Sequence, residues 1–118
     1  MANEITAFCQ LSVVNGDYNP GQISVSKQIT QNAQGAASGI QIVGTANEAL
    51  TVGDVTTYVM LFLRNLDATN FVTYGSTAGL EFKLKAGEWA CMRRTPASTV
   101  EIKADTAAVK VQFLLLQD

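Results

Sequence analysis

The strongest constraint on this chain is a period of two in its apolar residues. Ile23, Val25 and Ile29 fall on one side of an extended segment, with Gln22, Ser24, Ser26, Gln28 and Thr30 on the other. Successive side chains of a strand point to opposite faces, so this is the pattern of a strand with one face buried. Ile5, Ala7, Cys9, Leu11 and Val13 repeat it. So do Leu80, Phe82 and Leu84 against Glu81, Lys83 and Lys85, and Val109, Val111, Phe113 and Leu115 against Lys110 and Gln112. Residues 39–43, 55–63 and 114–116 are largely apolar at consecutive positions and read as strands covered on both faces. Shorter candidates lie at 71–74, 89–93 and 100–104.

Turn chemistry separates these segments: Asn15-Gly16-Asp17, Asn19-Pro20-Gly21, residues 65–70, Ala86-Gly87, Thr95-Pro96-Ala97-Ser98 and Ala104-Asp105-Thr106. Residues 45–50 are the one candidate for a short helical turn, and no segment sustains a helical period. The reading is an all-β chain, a β-sandwich of about eight strands in two sheets. At 118 residues it forms a single domain spanning 1–118. Residues 28–38 are small, polar and, from Gln28 on, uncharged, and read as a flexible loop or arm.

Only 15% of residues are charged and the net charge is −2. Phosphate backbones are held by clustered Lys and Arg, but the only adjacent cations, Arg93 and Arg94, point to opposite faces of a strand, so nucleic-acid binding is not expected. The longest wholly apolar run, residues 59–63, is far too short for a membrane-spanning helix. Met1-Ala2-Asn3-Glu4 has no basic or apolar leader character, so synthesis in the cytoplasm is expected. Residues 1–53 carry only Glu4, Asp17, Lys27 and Glu48. That imbalance is either chance or the mark of a half that lies against other subunits, because interface cores are depleted of charge.

The sequence contains no histidine, which removes the commonest general base, proton shuttle and metal ligand. Cys9 and Cys91 read as small, buried, reduced hydrophobes. Glu81 and Glu88 flank a predicted hairpin as solvated surface groups. Asn65, Asp67 and Asn70 share a loop and read as side-chain turn capping before calcium ligation. Phe8, Phe62, Phe71, Phe82 and Phe113 are the candidate aromatic core. Trp89 suits core or inter-subunit packing, or else an exposed platform for a sugar ring, while Tyr18, Tyr58 and Tyr74 are half-buried or interface candidates. No catalytic residue, cofactor or metal is expected.

A resemblance adds to this. An apolar strand is followed by Arg64-Asn65-Leu66-Asp67-Ala68-Thr69-Asn70-Phe71-Val72-Thr73-Tyr74-Gly75, then Phe82-Lys83-Leu84-Lys85-Ala86-Gly87-Glu88-Trp89-Ala90, and then Ile102 to Phe113. This second half resembles the head decoration (cement) proteins of tailed bacteriophages. The resemblance implies a jelly-roll sandwich, often trimeric, that binds the outside of the major capsid protein lattice and stabilises the virion. The partner contacts expected from the polar arm are Gln28, Thr30, Gln31, Asn32, Gln34 and Ser38. Two other assignments stay open: another phage structural part, such as a head-fibre base, a tail or baseplate component or a receptor-binding part, and a carbohydrate-binding sandwich module.

Overall fold

The computed structural model describes residues 4–94 and 99–118, so the predicted turn Thr95-Pro96-Ala97-Ser98 and most of the Met1 segment lie outside the described residues. Among the described residues there are ten strands and no helix, and the strands form antiparallel sheets. The chain divides into two units, Met1–Asn32 and Ala33–Asp118.

The first unit is a hairpin of β1 (Ile5–Asn15) and β2 (Tyr18–Ile29), joined through Gly16 at φ 59°, a left-handed turn conformation that glycine adopts without strain. Asn19-Pro20-Gly21 was expected as a second turn. It lies instead inside β2, as a bulge: Val13 pairs with Gly21 but Asn15 with Tyr18, which leaves one extra residue in β2. A bulge supplies what those residues need, a site for Pro20 with no ladder N–H and a positive φ of 105° at Gly21. At the base of the hairpin Gln31 N donates to Glu4 Oε2 at 3.0 Å, and this bond is the main cause holding the Glu4 carboxyl below its ordinary pKa.

The second unit holds β3 (Ala36–Val43), β4 (Glu48–Ala49), β5 (Tyr58–Asn65), β6 (Val72–Ser76), β7 (Gly79–Leu84), β8 (Trp89–Arg93), β9 (Glu101–Ala104) and β10 (Val109–Gln117). Their order is β3-β10-β5-β8 in one sheet and β4-β9-β6-β7 in the other. Only β6 and β7 are both consecutive and paired; the other links pass between the sheets. Counted within the unit, the first strand lies beside the eighth and the second beside the seventh, which is the double Greek key of a jelly roll. Residues 45–50 form no helical turn: Glu48 and Ala49 pair with Ile102 and Glu101.

The core between the sheets follows the alternation in the sequence. Leu61, Leu63, Val111, Phe113 and Leu115 from one layer meet Val72, Tyr74, Leu84, Ile102 and Ala104 from the other. The aromatic assignments are only partly met. Phe113 is 5% exposed, but Phe82, on the edge strand β7, is 46% exposed and stacks on Tyr74 with ring centroids 5.3 Å apart. Its phase is inward, yet an edge strand has no neighbour to close over the ring. Phe71 lies under the Lys83 ammonium, 3.9 Å from the ring centre, and Phe62 is half-buried. Phe8, on the hairpin, is 59% exposed.

One buried amide ties the strand ends together. Asn65 is fully buried; its Nδ2 donates to the carbonyls of Asn70 (2.9 Å) and Leu84 (3.1 Å), and its Oδ1 accepts from Asp67 N at 2.8 Å. Asp67 Oδ2 then accepts from the N–H groups of Asn70 (2.6 Å) and Thr69 (3.0 Å), and these bonds, Asn70's first, lower the Asp67 pKa. This is the capping chemistry expected of residues 65–70. Gly75 allows the closest chain approach: a Cβ there would collide with the Gly79 carbonyl across the β6–β7 bulge.

Three stability outcomes follow from these contacts. Asn65→Ala strands two carbonyls and an N–H and should lower unfolding free energy by about 3 kcal/mol or more by denaturant titration. Phe113→Ala should cost roughly 3–5 kcal/mol and Phe82→Ala about half that, since the latter ring is only partly covered; equal losses would contradict the edge placement of β7. Asp67 has a lowered folded pKa, so its contribution is present at neutral pH and is lost as pH falls through that pKa. The melting-temperature deficit of Asp67→Ala should therefore shrink on acidification.

Candidate interaction surface

The described residues include no grouping of three or more His, Cys, Asp or Glu side chains placed to hold a metal. The polar groups that sequence reading singled out are engaged in structure: Asn65 and Asp67 in the loop network, and Glu88 Oε1 accepting from Lys85 N at 2.7 Å in the β7–β8 turn. Glu81 is exposed on β7, as expected of a solvated carboxylate. The unusual surface is apolar, and it occurs in two places.

The first is the hairpin. Cross-strand register puts Ile5 opposite Ile29, Ala7 opposite Lys27, Cys9 opposite Val25, Leu11 opposite Ile23 and Val13 opposite Gly21. Paired residues share a face, so one face is apolar apart from Lys27. The other face carries Thr6 with Gln28, Phe8 with Ser26, Gln10 with Ser24 and Ser12 with Gln22, and is uncharged. No residue of the 11-residue β1 or the 12-residue β2 is buried. Leu11 is 67% and Ile23 69% exposed. The expectation that 23–29 is a half-buried strand is thus corrected: the alternation is there, but a two-stranded ribbon provides nothing to cover its apolar side.

The second is the outer face of the β3-β10-β5-β8 sheet. Its cross-strand rows are Ile42–Lys110, Ile40–Gln112–Arg64–Trp89, Ser38–Leu114–Phe62–Cys91 and Ala36–Leu116–Met60–Arg93. Ile40 and Ile42 are nearly two-thirds exposed, and Ser38, Ile40, Phe62 and Leu114 line a depression in the middle. Residues 39–43 and 114–116 were expected to be covered on both faces. Tyr58 to Leu61 meet that expectation in central β5, whereas Ile40, Ile42 and Leu114 face out. The ionisable groups of these rows are all basic apart from the Cys91 thiol: Lys110, Arg64 and Arg93. The other sheet presents outward the mixed set Glu81, Lys83, Glu101 and Lys103, an ordinary solvated surface.

The expected partner contacts divide between these regions. Gln28 is exposed on the polar face of β2. Thr30, Gln31, Asn32 and Gln34 lie in the segment between β2 and β3. Ser38 is no part of a loop: β3 begins at Ala36, and Ser38 sits on the outer face opposite Leu114. The cysteines were expected to be buried, and both are exposed, Cys9 on the apolar face of the hairpin and Cys91 in the Phe62 row. Among the tyrosines Tyr58 and Tyr74 are buried and Tyr18 is 65% exposed; Trp89 is 54% exposed. Sequence reading missed Leu11, Ile23, Val25, Ile40 and Ile42 as surface residues. Its one signal for them was the scarcity of charge in residues 1–53.

Comparison with protein-family models, with curated proteins and with solved structures finds no match to this chain.

If the outer face is open in the free protein, removing its apolar side chains leaves folding nearly unchanged. Ile40→Thr with Ile42→Thr should shift unfolding free energy by less than about 1 kcal/mol, as for exposed sites. A loss above about 3 kcal/mol would mean that the free protein already covers this face.

Proposed function

We propose that this chain is a non-enzymatic structural protein of a bacteriophage virion, a decoration (cement) protein that binds the outside of the capsid and stabilises it. It acts as a homo-oligomer, a trimer, on the major capsid protein lattice, at the capsid surface after synthesis in the host cytoplasm. It uses no cofactor and engages neither nucleic acid nor membrane.

The observation that carries this reading is a jelly roll whose β3-β10-β5-β8 sheet exposes Ile40, Ile42, Leu114 and Trp89 on its outer face. The jelly roll is a fold of viral capsid and lectin domains, and exposed apolar patches with charge confined to the margins mark protein interfaces. Arg64 beside Phe62 on central β5, with Arg93 and Lys110 further out, suits a partner surface that sets acidic groups among apolar ones. A shell repeats one site many times, so a modest interface per copy is enough when an oligomer engages several at once. The resemblance of residues 59–118 to decoration proteins supports the same reading.

The row Gln112–Arg64–Trp89 favours a second reading, a carbohydrate module, because one exposed indole beside hydrogen-bonding groups is what a sugar ring stacks on. Another phage part, a fibre base, baseplate or receptor-binding component, shares the first reading's physics and differs in its partner.

The test is add-back of purified protein to phage heads stripped of it. Wild type should rebind saturably, Leu114→Asp should rebind at least tenfold more weakly, and Trp89→Ala should retain most binding. Failure to bind expanded heads, with binding to tails, fibres or glycans instead, would overturn the capsid reading.

A further inference from the structure

We infer that the β1–β2 hairpin is the element through which copies of this chain assemble: three hairpins close into one antiparallel ring of strands, apolar faces inward, with β1 of one copy paired to β2 of the next. The inference rests on the homo-oligomer part of the proposed function and not on the capsid part.

An isolated two-stranded hairpin is marginal in water, and this one buries none of its strand residues. It has two needs. Its apolar face, Ile5, Cys9, Leu11, Val13, Ile23 and Val25, lacks cover. Its two outer edges also lack strand partners, since β1 pairs only with β2 among the described residues. Long edges are usually guarded by charge or proline. β1 has neither from Ile5 to Asn15, and β2 has only Pro20 near the tip and Lys27. An unguarded edge is suited to strand addition.

Geometry selects the occupant. Two hairpins stacked face to face would cover a strip of roughly 34 by 10 Å, about 300 Å² each. That is well short of the ~800 Å² per partner of a stable interface, and all four edges would stay open. A ring satisfies face and edges together. Three-fold rotation keeps neighbours antiparallel, because β1 and β2 of each hairpin already run in opposite directions. The inward residues apart from Lys27 are small or branched aliphatics and Cys9, the filling of a narrow barrel, and the outward face is uncharged and, apart from Phe8, polar: Thr6, Gln10, Ser12, Gln22, Ser24, Ser26 and Gln28. Lys27 sits inward near the open end, where its long stem can carry the ammonium out of the mouth. Three such charges close together oppose assembly, which provides a probe.

Native mass spectrometry of the full chain should give a trimer. Leu11→Glu with Ile23→Glu should give monomers whose thermal unfolding still shows the jelly-roll transition. Lys27→Met should lower the trimer dissociation constant at least fivefold, an outcome that a folding defect does not mimic. In a Cys91→Ser background Cys9 should be shielded from a maleimide in the trimer and react in the Leu11→Glu, Ile23→Glu variant; a Cys9 that reacts equally fast in both overturns the inward placement. A trimer that survives the double variant overturns the hairpin assignment and leaves the homo-oligomer reading standing. A wild type that is monomeric at tens of micromolar overturns both. Loss of head binding in the double variant with the trimer intact would assign the hairpin to the capsid, against this inference.

Discussion

A sheet has two faces, and in water an apolar face must be covered. In this chain that requirement is met once, between the two sheets of the jelly roll. There Leu63, Val111, Phe113 and Leu115 close over Val72, Ile102 and Ala104. Everything else in the second unit is arranged around that layer. The strand order splits all successive strands but β6 and β7 between the sheets, and each strand longer than β4 contributes apolar residues to the layer. Asn65 ends β5 by turning its amide onto the Asn70 carbonyl just before β6 and the Leu84 carbonyl that finishes β7, closing one end of the layer without an orphaned amide.

The same requirement fails twice elsewhere. The outer face of β3-β10-β5-β8 exposes Ile40, Ile42, Leu114 and Trp89 among Lys110, Gln112 and Arg64, and one face of the β1–β2 hairpin is apolar apart from Lys27 and exposed. Isolated exposed leucines are normal on soluble proteins; continuous rows of them are not. The opposing sheet, with Glu81, Lys83, Glu101 and Lys103 outward, shows what this sequence does where it meets solvent. On a chain poor in charge, that surplus apolar area is what the proposed assembly would cover, the hairpin by other copies and the outer face by the shell.

Most of the sandwich was legible in the sequence, because core-facing strands alternate and the alternation needs no partner to be read. β10 is the clearest case, with Val109, Val111, Phe113 and Leu115 inward and Lys110 and Gln112 outward. Burial was legible only where a second layer exists. Leu80, Phe82 and Leu84 have the right phase, but position at a sheet edge leaves Phe82 half open, and edge position is a property of topology. Ile23 and Val25 have the right phase too, but cover comes from outside the hairpin. Asn19-Pro20-Gly21 reads as a turn because bulges and turns use the same residues for the same backbone reasons. Ser38 reads as loop because its small neighbours hide the alternation that pairing with Leu114 reveals.

The central claim, that the hairpin face is covered by assembly, is tested most directly by amide hydrogen exchange of β1 and β2 as a function of protein concentration. Assembly predicts strong protection of residues 5–13 and 21–29 at high concentration and its loss on dilution, while β5 and β10 stay protected throughout. Protection of the hairpin that does not change with dilution, or its absence at every concentration, would contradict the account.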